Sequence, residues 1–107
     1  MMDKYKEIKR QSSKDFSELT VIVNKWDPMG LIRGGAPDDE YECLTSLLLS
    51  QLYQGKSIDE LQEFILNQLK SEFELDIMNL KEEYKIRSLN RVKSVCLQMW
   101  DWYENRK

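Results

Sequence analysis

The 107-residue sequence contains no histidine. That excludes His-based catalytic triads, His-ligated zinc or haem and an imidazole pH switch. Cysteine is nearly as scarce: Cys43 and Cys96, without histidine, cannot complete a four-ligand zinc site within one chain. Both fall in apolar helical patterns and are expected as reduced core residues, which suits a cytoplasmic protein. No apolar run is longer than Leu47-Leu48-Leu49, far short of the ~20 residues of a membrane span. The opening Met1-Met2-Asp3-Lys4-Tyr5-Lys6 lacks the apolar stretch of a secretory signal. Only two prolines and four glycines punctuate the chain, so its turns are few and easily placed.

What is present is charge and helical periodicity. The net charge of −3 hides an uneven distribution. Residues 27–76 carry −8, while 1–26 and 77–107 carry +2 and +3. An acidic middle repels nucleic acid and anionic membrane and suits a basic protein partner. Basic residues of the last helix, Arg87, Arg91, Lys93 and Arg106, do not line up as a nucleic-acid stripe, so no nucleic-acid partner is expected.

Residues 1–12 read as a charged N-terminal tail ahead of one helical domain over 13–107. Phe16, Leu19, Val23 and Trp26 recur at helical spacing, predicting a first helix from about Ser13 to Trp26 with Ser12 or Ser13 as cap. Asp27-Pro28 ends it, because a residue before proline is driven out of the helical region. A loop with Gly30, Gly34 and Gly35 follows. Pro37 then opens a second helix whose first turn holds Asp38, Asp39 and Glu40. Its buried stripe is Tyr41, Leu44, Leu48 and Leu52, widened by Leu47 and Leu49, and Gly55 closes it.

Ser57-Ile58-Asp59-Glu60 is a capping box for a third helix with Leu61, Phe64, Ile65, Leu69 and Phe73 on its core face. Leu75-Asp76 marks a break and then a short connecting helix near 77–85, capped by Asp76. The last helix spans about Arg87 to Asn105. Its core face is Leu89, Val92, Val95, Cys96, Met99 and Tyr103, with Trp100 and Trp102 half exposed at the edges. Lys81 and Lys85 would enter that face if the helix began earlier, so a register change is expected near Ile86. The expected fold is an all-α, single-domain bundle of about four helices.

The spine Trp26-Asp27-Pro28-Met29-Gly30-Leu31, then Gly35-Ala36-Pro37-Asp38-Asp39-Glu40-Tyr41, continues through Leu48, Leu52, Ser57 and Glu60-Leu61 to Phe73-Glu74-Leu75. It resembles a small all-helical bacterial family catalogued as a domain of unknown function, with a W-D-P-(aliphatic)-G and D-E-Y signature. The resemblance covers residues 16–75, and Glu74 stands where the family has glycine. It implies a helical fold, a bacterial source and no catalytic residues to carry over. Some relatives look like genes near toxin systems, which makes an immunity role an expectation.

Read as residues alone, Trp26 closes the core, Asp27 caps the following turn through backbone N–H groups, and the Tyr41 hydroxyl seeks a polar partner. Trp26, Asp27, Arg33, Asp38, Asp39, Glu40 and Tyr41 form one candidate partner-binding patch, since loops on a rigid scaffold carry binding. Trp100 and Trp102 form another, suited to a homodimer seam or a partner surface. The acidic run lacks the spacing of a calcium loop, and Gly34-Gly35 is followed by carboxylates that would repel phosphate. No metal, cofactor or enzymatic activity is expected. The expected function is a non-enzymatic protein-binding module, an immunity or antagonist factor for a basic toxin; the alternative is a self-associating helical protein.

Overall fold

The structure is a computed structural model that describes the backbone of residues 2–37 and 39–106, and the side chains of 13–37 and 39–106. Among the described residues the chain is all-α and has no strand. It comprises α1 (Met2–Trp26), α2 (Glu42–Tyr53), α3 (Ile58–Phe73) and α4 (Glu82–Asn105), with a 3-10 turn at Ile77–Asn79. None of these helices is long and apolar enough to cross a membrane. The chain divides into two units, Met1–Leu49 and Ser50–Lys107, and α2 runs through the division.

In the first unit, α1 buries Leu19, Val23 and Trp26 and leaves Phe16 half-buried. The helix begins at Met2 rather than Ser13, so Ser12 and Ser13 lie inside it and do not cap it. The side chains of 1–12, where the charged tail was expected, lie outside the described residues. From the first half of α2, Leu44, Thr45, Leu48 and Leu49 turn inward behind Tyr41. At 100° per residue that face leaves Cys43 and Leu47 on the opposite side. Both are exposed, correcting the expectation that Cys43 is a core residue and Leu47 part of the stripe.

The second unit opens with the end of α2, where Gly55 (φ 75) turns the chain. Its N–H donates to the Leu52 carbonyl at 3.0 Å and the Lys56 N–H to that of Gln51 at 3.3 Å. This pair of bonds is the Schellman closure, and it asks for a residue without a Cβ. The capping box at Ser57 forms as expected: Glu60 N–H donates to Ser57 Oγ at 3.2 Å and Ser57 N–H to Glu60 Oε1 at 3.0 Å. Leu61, Ile65 and Leu69 are buried while Phe64 and Phe73 are half-buried, and α3 packs on α4.

The connection after α3 differs from the expected short helix over 77–85. Ile77–Asn79 makes a single 3-10 turn, and α4 starts at Glu82 instead of Arg87. The Asp76 side chain accepts no backbone N–H; its carboxylate accepts from Asn79 Nδ2 at 2.6 Å and lies 3.7 Å from Lys70 Nζ. The register change near Ile86 is absent because the first turns of α4 are not buried. Tyr84 and Ile86 are both exposed, and burial begins at Val92. From there Val92, Val95, Cys96 and Met99 form the inner face, with Leu89 and Tyr103 half-buried. Burial pushes the Cys96 thiol up to about 12.

Glu74 ends α3 in the left-handed region (φ 56, ψ 27), and both its N–H and that of Leu75 donate to the Leu69 carbonyl. The turn therefore closes on a residue that carries a Cβ, in a conformation that glycine adopts without steric cost. Glu74→Gly is expected to raise stability by about 1 kcal/mol, read as a higher urea midpoint at unchanged m. A lower midpoint would show that the carboxylate contributes more than the strain costs.

Candidate functional site

The most connected group of the first unit is Asp27, buried at 2% exposure just past the end of α1. Its backbone stands at φ 47, and its N–H donates to the Val23 carbonyl at 2.8 Å. Aspartate tolerates this left-handed conformation better than most residues, and Pro28 then prevents the helix from resuming. The chain reverses, with Gly30 (φ 69) donating to the Asp27 carbonyl at 3.0 Å. Further turns follow through Gly34 to Gly30, Gly35 to Ile32 and Ala36 to Leu31.

That path wraps donors around the carboxylate. Oδ1 accepts from the Tyr41 hydroxyl at 2.6 Å and the Ile32 N–H at 3.1 Å. Oδ2 accepts from the Arg33 N–H at 3.0 Å and Arg33 Nε at 3.2 Å. Tyr41, 1% exposed, accepts in turn from the Met29 and Leu31 N–H groups at 3.1 and 3.4 Å. Burial pushes the Asp27 carboxyl upward. The Tyr41 hydroxyl, the Arg33 and Ile32 amides and the Arg33 side chain outweigh it and hold the pKa at about 2. Burial and then the bond to Asp27 raise the Tyr41 hydroxyl.

Asp27 is a fully occupied acceptor, and its chemistry is that of a clasp between the end of α1 and the start of α2. A carboxylate so saturated and so acidic has no proton to exchange near neutrality. Trp26, Asp27 and Tyr41 of the candidate patch are thus interior, whereas the Arg33 side chain is 68% exposed while held through Nε.

The acidic residues sit differently from expectation. The helix does not begin at Pro37. Glu40 N–H donates to the Pro37 carbonyl and Glu42 N–H to that of Asp39, so residues 39–41 are turns and only Glu42 lies in the first turn of α2. Tyr41 must aim at Asp27, and its carbonyl accepts the first bond of the helix, from Thr45 N–H at 2.8 Å. Asp39, Glu40 and Glu42 are exposed, and none forms an ion pair with the described residues. Asp38 lies outside the described residues. No cluster among the described residues is arranged to hold a metal ion.

In the second unit, Trp100 and Trp102 are half-buried, as their helical positions imply. Tyr103 lies between them, its ring centroid 5.9 Å from Trp100 (edge-on, 86°) and 6.3 Å from Trp102. Tyr53, at the end of α2, is 6.1 Å away. The Arg106 guanidinium carbon stands 3.9 Å from the Tyr103 centroid and 5.8 Å from that of Tyr53. Sequence reasoning found the tryptophans but not Tyr53, which helical spacing within α4 cannot reveal. The grip of Arg33 on Asp27 was likewise missed; its only trace is a basic residue after a glycine turn.

Fold and site together define a small all-helical chain whose best-organised feature is a structural clasp. Comparison with known proteins returns no matching family model, curated protein or solved structure.

Proposed function

We propose that the chain is a non-enzymatic protein-binding module that takes a basic partner through the acidic turn between Pro37 and α2. The observation that supports this is that Asp39, Glu40 and Glu42 are exposed and unpaired among the described residues, on a segment pinned at Tyr41 by the Asp27 clasp. Carboxylates next to the anchored Tyr41 lose little freedom on binding and steer a cationic surface toward them. The same charges disfavour nucleic acid. The family resemblance adds a bacterial source and an immunity role, the acidic charge makes the toxin it would antagonise a basic one, and the reduced cysteines suit the cytoplasm.

The test begins with capture of the tagged chain's partner from its host and continues with charge reversal. Asp39→Lys with Glu40→Lys is expected to weaken the captured complex at least about tenfold, and the wild-type affinity to fall with salt. Binding unchanged by the reversal would overturn the reading. A second reading, self-association with no small-molecule ligand, draws on the half-exposed Trp102 and on Tyr53, 41% exposed, each of which lies against Tyr103. It requires a wild type larger than a monomer in light scattering, and Trp102→Ala returning it to monomer mass. A monomeric wild type ends it.

A further inference from the structure

The end of α4 holds an arrangement that the acidic turn does not use. The Arg106 guanidinium lies over the Tyr103 ring and beside that of Tyr53, and its Nη1 donates to the Tyr103 carbonyl at 2.9 Å. We infer that Tyr53 and Tyr103 form a guanidinium-binding clamp, occupied in cis by Arg106, that accepts an arginine side chain of a protein partner when Arg106 swings out.

The resident side chain defines the chemistry of the seat. Two π faces and a carbonyl acceptor suit a planar, weakly hydrated guanidinium better than a compact, strongly hydrated ammonium. The walls come from two helices of the same unit, Tyr53 from the end of α2 and Tyr103 from α4, so the scaffold holds them whether or not the seat is filled. Arg106 lies just past Asn105, the last residue of α4, in extended backbone (φ −72, ψ 149). It can leave without breaking the helical ladder. The exposure of Tyr53 makes the seat a shallow one, matched to a side chain presented from another surface rather than to an enclosed small molecule. The inference stands on these rings and is independent of the acidic turn.

The test uses the full chain carrying Arg106→Ala, titrated with N-methylguanidinium and followed by the NMR shifts of the Tyr53 and Tyr103 ring protons. Saturable shifts are expected, with an apparent affinity at least about fivefold tighter than in the wild type, where the cis occupant must first leave. Adding Tyr53→Leu, a change at an exposed position, should abolish them. Arg106→Gln repeats the experiment if alanine loosens the last turn. No saturable shift in either Arg106 variant, or the same shifts after Tyr53→Leu, would overturn the proposal and reduce Arg106 to a cap on α4. Reversing Asp39 and Glu40 should leave this titration unchanged, so its failure and that of the acidic-turn reading are told apart.

Discussion

Asp27→Ala is expected to destabilise the protein by about 3–5 kcal/mol, a large share of the usual 5–15 kcal/mol. The size follows from what is stranded. The Tyr41 hydroxyl loses its acceptor, and the Ile32 and Arg33 amides and Arg33 Nε lose theirs. Each buried or part-buried donor left without a partner costs about 1–3 kcal/mol, and partial access to water brings the total below the simple sum. Urea unfolding followed by circular dichroism measures it. A loss below about 1 kcal/mol would show that the loop re-forms its bonds without the carboxylate.

The same group sets an acid dependence. A carboxyl lowered from 3.8 to about 2 in the folded state contributes stability that is complete above its unfolded value. That contribution, about 2 kcal/mol, disappears as pH falls from roughly 4 toward 2. Asp27→Asn, which cannot titrate, should be less stable at neutral pH and lose less on acidification. If both proteins lose stability equally between pH 4 and 2, other carboxylates control the acid limb.

The second large effect lies in the other unit. Ile65 is fully buried on α3 between Leu61 and Leu69, on the helix that packs on α4. Ile65→Ala is expected to cost about 2–5 kcal/mol through lost burial and the cavity left behind, whereas Ile65→Val should cost about 0.5–1.5 kcal/mol. Equal losses for valine and alanine would contradict a close-packed core at this position.

How much of this was legible depended on how local each signal is. The Ser57–Glu60 box, the Gly55 closure and the Leu61, Ile65 and Leu69 stripe all lie within a few residues of their partners, and each appears where the pattern placed it. The start of α4 was not legible, because Tyr84 and Ile86 are exposed and an unburied helical turn leaves no hydrophobic period. Lys81 and Lys85 bar an early start only if those turns are covered, and here they are not. The start of α2 slipped from Pro37 to Glu42 for a different reason. Tyr41 bonds Asp27 across fourteen residues, and a contact of that separation overrides the local preference of Pro37 and its acidic followers for a helix start. Asp27 and Tyr41 were each singled out, but that the partner of one is the other needed the fold.

The two thiols divide by environment: Cys43 stands on the outer face of α2, and Cys96 is sealed in α4 with its proton held to about pH 12. A thiolate-seeking label added to the native protein therefore marks Cys43 first and reaches Cys96 only when the second unit opens. The unmodified chain thus carries its own clock for that opening, readable by mass as a second label adding to the first.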